Sequence, residues 1–304
     1  MSKARLITAL MATAFTLPAS AATYTLVVAG LGGEPSYEQR FREQAAAVSS
    51  AAQKAAGNTA NVISLTGDAA RAEAVRREIK NLAARMSAND SVVVVLIGHG
   101  SYDGANYRFN LPGPDLTDSD LARLFDEFPA RDQLIINATS ASGAVVERWQ
   151  KPRRVVITAT KNGGEKTATR FAQYWAQAVA SDAADTNKDQ VVTAAEAYAY
   201  VTNQIEAAFK AETAMATEHA RMEGDNAGRF TLARLGADEL MPDNPEVAAL
   251  LSQRGAIEQD LNHVKEQKAS LPDTQYYDQL EEVLVRLALL QREIDAKAGG
   301  GATP

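Results

Sequence analysis

Five short apolar runs, rich in β-branched residues, constrain the fold of this chain more than any other feature. They occupy residues 23–29, 61–65, 91–97, 133–138 and 154–160. Several are apolar without alternation, which is typical of strands that helices cover on both faces. Stretches with helical spacing separate them, at residues 37–56, 68–86 and 117–128. Because strands and helices of these lengths alternate, the sequence predicts an α/β fold with a mainly parallel sheet.

The pattern changes after the fifth run. Two further helices are predicted at residues 166–181 and 193–212, and a polar, glycine-containing stretch follows them. The segment Met241-Pro242-Asp243-Asn244-Pro245 is typical of a boundary. We therefore expect a main α/β domain over residues 22–240, a helical hairpin over 241–298 and a disordered glycine-rich tail over 299–304.

The hairpin is predicted from apolar residues at three- and four-residue steps on either side of a turn at Leu271-Pro272-Asp273. The first arm carries Val247, Leu250, Leu251, Ile257, Leu261 and Val264, and the second carries Tyr277, Leu280, Leu284, Leu287, Leu290 and Ile294. Two roles fit an antiparallel helix pair of this kind. It packs onto itself or the main domain, or it offers a docking surface to another protein.

The first 21 residues resemble an export signal. Lys3 and Arg5 precede a mostly apolar stretch from Leu6 to Leu17, and small residues follow at Ala19-Ser20-Ala21. The apolar stretch is too short to span a bilayer, so we expect no membrane span. The sequence thus predicts a signal peptide over residues 1–21, cleaved near Ala21, and a periplasmic or secreted protein.

Charge and cysteine content narrow the function further. The chain has 31 Lys and Arg against 38 Asp and Glu, a formal net charge of −7, with no basic block. This balance argues against nucleic acid as a partner and favours a protein or a peptide. The chain contains no cysteine, which excludes thiol chemistry.

Polar residues follow the third and fourth runs, where an open α/β sheet binds its ligands. The third run leads to His99-Gly100-Ser101, and the fourth leads to Ser140-Ala141-Ser142-Gly143. An imidazole and a hydroxyl at neighbouring strand ends are the minimum for general-base activation of a nucleophile. We therefore predict a candidate dyad of His99 and Ser140, with the Gly100 N–H as a candidate donor to an oxyanion.

Over residues 23–210 the chain resembles the legumain-type peptidases, within the group of caspase-, legumain- and gingipain-like folds. Their motifs match Val28-Ala29-Gly30, Arg42-Glu43-Gln44-Ala45, His99-Gly100-Ser101, Ser140-Ala141-Ser142-Gly143 and Ile157-Thr158-Ala159-Thr160. The resemblance implies a three-layer caspase-like sandwich, catalysis at the His99 and Ser140 positions, and a substrate-binding role for Arg42.

The resemblance breaks at the nucleophile, because Ser140 stands where the family has its cysteine. A thiol ionises near pH 8.5, whereas an alcohol needs a placed base and usually a third group that orients that base. Loss of thiol catalysis predicts a degenerate peptidase that serves as a protein-binding, peptide-binding or scaffold domain. The alternative is a working peptidase or other hydrolase with a Ser140–His99 dyad. A third origin of Ser140 is an engineered replacement of cysteine.

A second pattern, at residues 185–196, follows the spacing of a twelve-residue calcium loop. The ligand positions are Asp185, Asn187, Asp189, Val191 through its carbonyl, Thr193 and Glu196. Position six carries Gln190 instead of the usual glycine. The residues Thr193 and Glu196 also form a capping box, so these acidic groups fit a helix start as well as a Ca²⁺ site.

Overall fold

The computed structural model describes residues 22–56, 59–235 and 245–298. Its strands are β1 (Thr23–Ala29), β2 (Val62–Leu65), β3 (Ser91–Gly98), β4 (Gly100–Tyr102), β5 (Tyr107–Phe109), β6 (Leu116–Thr117), β7 (Asp132–Thr139), β8 (Arg154–Thr158), β9 (Val191–Thr193), β10 (Arg221–Glu223) and β11 (Thr231–Arg234). Its helices are α1 (Pro35–Ala56), α2 (Ala72–Arg85), α3 (Asp118–Phe125), α4 (Val146–Trp149), α5 (Phe171–Ala180), α6 (Ala194–Ala211), α7 (Pro245–Glu266) and α8 (Asp273–Ala298).

A six-stranded sheet in the order β10-β8-β7-β3-β1-β2 forms the centre of the main body. Five of the six strands are parallel, namely β1, β2, β3, β7 and β8. The sixth strand, β10, pairs antiparallel with β8. The prediction of a mainly parallel α/β fold is confirmed. The predicted strand ends shift slightly, since Asn61 belongs to a short 3₁₀ turn and β8 ends at Thr158.

Helices cover both faces of this sheet, which makes three layers. One core lies between the sheet and helices α1, α5 and α6, and it includes Val95, Ile97 and Ala138. The other lies between the sheet and helices α2, α3 and α4, and it includes Val94 and Leu96. Successive residues of β3 therefore point to opposite cores, and both are apolar. This explains why the strand shows no alternation of apolar and polar residues.

Two small antiparallel sheets are present that the sequence does not predict. Strands β4, β5 and β6 form one beside the end of β3, and β9 pairs with β11 in the other. They are two to four residues long, too short for periodicity to reveal. Residues 110–115 connect β5 to β6.

The predicted helical hairpin is present as α7 and α8. Its interior holds Val247, Leu250, Val264, Tyr276, Val283, Leu290 and Ile294. Two residues expected inside are instead exposed, since Tyr277 is 57% accessible and Leu284 is 45% accessible. Tyr276 occupies the buried position, so the second arm is rotated by one residue at its start relative to the prediction.

Several boundaries lie outside the described residues. These are the signal peptide at 1–21, the Met241–Asn244 part of the domain boundary and the tail at 299–304. Among the helices that the structure describes, none combines the length and apolar character needed to cross a bilayer.

Candidate functional site

His99 and Ser140 lie beside each other at the carboxyl edge of the sheet. Strands β3 and β7 pair in parallel, with Gly98 opposite Thr139 at their ends. His99 immediately follows β3, and Ser140 immediately follows β7. The preceding pair, Ile97 and Ala138, belongs to the core beneath α1 and α5. The strand register thus brings the two predicted residues to one rim.

The Ser140 hydroxyl is bound to backbone atoms of Gly100. It donates a hydrogen bond to the Gly100 carbonyl at 3.1 Å and accepts one from the Gly100 N–H at 3.1 Å. The residue is 2% exposed. The Gly100 N–H is predicted as a donor to an oxyanion. In the structure it already donates to the Ser140 hydroxyl.

The His99 imidazole lies in an aromatic cage on α1. Its ring meets Tyr37 edge-on at 4.8 Å between centroids and Phe41 at 5.0 Å. Burial lowers the pKa of His99, and the charge of Arg40 lowers it further. A hydrogen bond to the Gly32 backbone and the charge of Glu34 act in the opposite direction. No hydrogen bond in the described part of the chain joins this imidazole to the Ser140 hydroxyl.

Asp103, the acidic residue nearest to His99 in sequence, does not orient the imidazole. Its carboxylate accepts hydrogen bonds from the N–H groups of Ala105 and Asn106 and pairs with Arg108 at 2.9 Å. These contacts lower the pKa of Asp103 to about 2. It stabilises the turn between β4 and β5.

The arginine that adjoins His99 is Arg40, not Arg42. Arg42 keeps 62% of its side chain exposed and lies 3.5 Å from Glu38. The Arg40 guanidinium lies 4.8 Å from the Tyr37 ring centroid and 5.5 Å from that of Phe41. Its buried Nε and Nη2 atoms have no hydrogen-bond partner among the described residues. The motif resemblance implies a substrate-binding role for Arg42, which lies two positions further along the helix.

Sequence reasoning also missed two glutamates near the site. Glu218 is 3% exposed and accepts two hydrogen bonds from the Arg170 N–H, at 3.0 and 2.8 Å. Burial raises the pKa of Glu218 to about 7, although this N–H and the charges of Arg170 and Arg40 oppose the shift. Its position in an irregular segment left no periodic pattern to detect.

Glu165 connects that segment to the turn after Ser140. Its carboxylate lies 2.6 Å from Nδ1 of His219 and accepts the N–H groups of Lys161 and His219. Its backbone carbonyl accepts the Ala141 N–H at 2.7 Å. His219 is thus linked to this turn through Glu165.

The turn at residues 140–143 is tightly packed. Ala141 adopts a left-handed conformation with φ of 56°. The Ser142 hydroxyl lies 3.1 Å from Oγ1 of Thr160 and accepts the Thr160 N–H. A Cβ on Gly143 would come within 2.5 Å of backbone atoms of residues 160–162. Only glycine fits there, so this part of the motif has a packing reason independent of catalysis.

The predicted calcium loop lies between α5 and α6, and Thr193 and Glu196 form the expected capping box. Glu196 accepts hydrogen bonds from Thr186 as well as from Thr193. Within residues 22–56, 59–235 and 245–298, no three Asp, Glu, His or Cys side chains form a ready-made metal site.

The pKa of Glu218 predicts a pH dependence of stability. Because folding raises this pKa from 4.5 to about 7, the folded state binds a proton that the unfolded state releases. The favourable contribution is complete below pH 4.5 and is lost as the pH rises through 7. We expect wild-type stability to fall by roughly 1–3 kcal/mol relative to Glu218→Gln across this window, as measured by urea unfolding.

The matched control for this pH dependence is Glu212→Gln. Glu212 contacts the side chain of the same residue, Arg170, but its pKa is lowered by that hydrogen bond. A profile of the Glu218→Gln variant parallel to that of the wild type from pH 4.5 to 7 would refute the assignment.

Comparison with known proteins gives fold-level similarity only. No protein-family model and no curated protein matches this sequence. Among solved structures, a structural-genomics target from Geobacter sulfurreducens is 14% identical with a TM-score of 0.47, and the match covers 70% of this chain and 97% of that one. Caspase-1 from Spodoptera frugiperda is 10% identical with a TM-score of 0.47, covering 73% and 94%. Similarity at this level carries no functional information.

Proposed function

We propose that this protein is an exported, legumain-like domain of caspase-type fold that has lost thiol catalysis and binds a protein or peptide. The observation that carries the proposal is the pair of hydrogen bonds between the Ser140 hydroxyl and the backbone of Gly100. A nucleophilic serine must pass its proton to a base, and here the proton is directed to a backbone carbonyl.

The surroundings of His99 support the same proposal. A serine hydrolase orients its catalytic imidazole with a third polar group, usually a carboxylate. Among the described residues, the contacts of the His99 imidazole are the Tyr37 and Phe41 rings and a hydrogen bond to the Gly32 backbone, without a hydrogen bond to a carboxylate, and burial lowers its pKa. An imidazole packed between two aromatic rings serves packing as well as it serves chemistry. The absence of cysteine from the chain removes the thiolate that would tolerate such an arrangement.

Arg40 supplies the chemistry by which a peptide would be recognised. Its guanidinium lies beside His99, its charge also acts on buried Glu218, and its buried Nε and Nη2 atoms have no hydrogen-bond partner among the described residues. A charge in that position favours an acidic group, because guanidinium and carboxylate geometries match. We therefore propose that the edge of the sheet binds a peptide segment with an aspartate or glutamate side chain.

Fluorescence anisotropy with three short labelled peptides tests this proposal. The peptides differ only at a central residue, which is aspartate, asparagine or lysine. We expect the aspartate peptide to bind most tightly and Arg40→Ala to weaken it about tenfold or more. Arg42→Ala, on the same helix, is the matched control and leaves binding unchanged. Equal binding of all three peptides, or equal effects of both substitutions, would refute the role of Arg40.

The alternative function is hydrolysis by a Ser140–His99 dyad. The register of β3 and β7 favours it, because it places the two residues side by side. In that reaction the Ser140 hydroxyl would leave Gly100, and His99 would take its proton. A reagent that labels nucleophilic serines separates the two functions.

Export and docking complete the proposed function. The charged and apolar start of the sequence, with small residues up to Ala21, supports a periplasmic or secreted location. Helix α8 exposes Tyr277, Leu284, Val285 and Leu289. This apolar face supports a role of the hairpin in docking a protein partner, and the net charge of −7 favours protein over nucleic acid.

A further inference from the structure

The loop between α5 and α6 shares three backbone features with a twelve-residue calcium loop. Gln190, at position six, adopts a left-handed conformation with φ of 66°, the conformation for which such loops use glycine. Residues seven to nine form β9, which pairs with β11, and α6 begins at position ten. Gln190 therefore adopts the conformation that glycine usually provides at position six.

Asp185, at position one, is the observation that points to a ligand. The residue is 3% exposed. Its Oδ2 atom accepts the Gln190 N–H at 3.0 Å, so the carboxylate faces the interior of the loop. Its Oδ1 atom is buried without a hydrogen-bond partner in the described part of the chain. A buried carboxylate oxygen without a partner is unfavourable, and a cation held in the loop would compensate it.

The side chains at the other ligand positions form hydrogen bonds within the loop. Asn187 accepts the N–H of Asp189, and Asp189 in turn accepts the N–H of Val191, so both side chains fold back over the loop. Glu196, at position twelve, accepts hydrogen bonds from Thr186 at the start of the loop. The loop therefore collects hard oxygen atoms, which suit a calcium ion.

We infer that residues 185–196 bind one calcium ion, with Asp185 and Glu196 as the anchoring carboxylates. Binding requires Glu196 to exchange its hydrogen bonds with Thr186 and Thr193 for the ion, since the acidic groups do not converge beforehand. This rearrangement predicts a modest affinity, roughly 10⁻⁴–10⁻³ M. The site is independent of the function proposed for His99, Ser140 and Arg40.

The expected consequence of binding is stabilisation of the main domain. The loop joins α5 to α6, and the Gln190 carbonyl accepts the Leu235 N–H after β11. Arg234, in β11, forms an ion pair with Glu258 of helix α7. An ion that orders this loop should therefore also stabilise the β9–β11 pair and its contact with α7.

Isothermal titration of the full chain, treated with chelator, tests the inference. We expect one calcium ion per chain and a weaker response to magnesium, which demands a more regular geometry. At a calcium concentration ten times the dissociation constant, the equilibrium constant of unfolding should fall roughly tenfold.

Two variants and one control decide the outcome. Asp185→Asn and Glu196→Gln should each abolish the calcium response, and the second keeps a side chain that still caps α6. Asp182→Asn removes an exposed acidic residue just outside the loop and should change nothing. If Asp185→Asn does not fold, Glu196→Gln decides alone. Absence of heat at millimolar calcium, or the same response in wild type and Glu196→Gln, would overturn the inference.

Discussion

Replacement of Trp149 by alanine is expected to lower the free energy of unfolding by about 4 kcal/mol. Trp149 is fully buried and meets the rings of Phe125 and Tyr107 edge-on, at 5.1 and 6.3 Å between centroids. Its indole N–H also donates to the Asp118 carbonyl at 3.0 Å. The substitution leaves a large cavity and removes this hydrogen bond. Urea unfolding of the purified variant measures the effect.

The matched control for Trp149 is an aromatic residue with the opposite exposure. Tyr277 on α8 is 57% accessible, and Tyr277→Ala should cost less than about 1 kcal/mol. A loss below about 1 kcal/mol for Trp149→Ala would contradict the description of the core beneath α3 and α4.

Replacement of Arg154 by alanine is expected to cost about 3 kcal/mol. The Arg154 side chain is 3% exposed, and burial lowers its pKa, against the effect of Asp126. Its guanidinium donates to Gln133, to the Trp149 carbonyl and to Asp126. Removal of the guanidinium leaves three acceptors at the start of β8 without their donor, and thermal or urea unfolding measures the loss.

Lys151 provides the control, because it contacts the same carboxylate from the surface. Its side chain is 50% exposed, and it lies 2.5 Å from Asp126. An exposed ion pair contributes little, so Lys151→Ala should cost no more than about 1 kcal/mol. Equal losses of unfolding free energy in the two variants would contradict the claim that burial makes the contacts of Arg154 more stabilising than the ion pair of Lys151.

The main architecture was predictable because it depends on burial. A parallel strand covered on both faces needs a continuous apolar run, and the runs that form β1, β3, β7 and β8 supply it. Strand β10 could not be predicted, because it is three residues long, half-buried and charged at Arg221 and Glu223. Its place at the sheet edge is set by pairing with β8, which is a tertiary contact.

The candidate site was predictable in part for the same kind of reason. The ends of two adjacent parallel strands determine the positions of His99 and Ser140, and both residues follow apolar runs. Which arginine of α1 approaches His99 depends on the rotation of that helix. The buried Phe41, Ala45 and Val48 define its inner face, and Arg40 borders this face while Arg42 does not. The motif resemblance carried no such information.

Glu218 and Glu165 could not be predicted. Both lie in segments without regular structure, and their partners are far away in sequence. Their roles follow from the path of loops that the sheet and helices position.

In the function that we propose, the Ser140 hydroxyl is a structural group, bound to Gly100, and not a nucleophile. Incubation of the full chain with a fluorophosphonate reagent, followed by mass spectrometry of the Ser140 peptide, tests it most directly. We expect no adduct at Ser140 in the wild type or in His99→Ala. An adduct at Ser140 that forms in the wild type and disappears in His99→Ala would contradict the claim and establish the hydrolase.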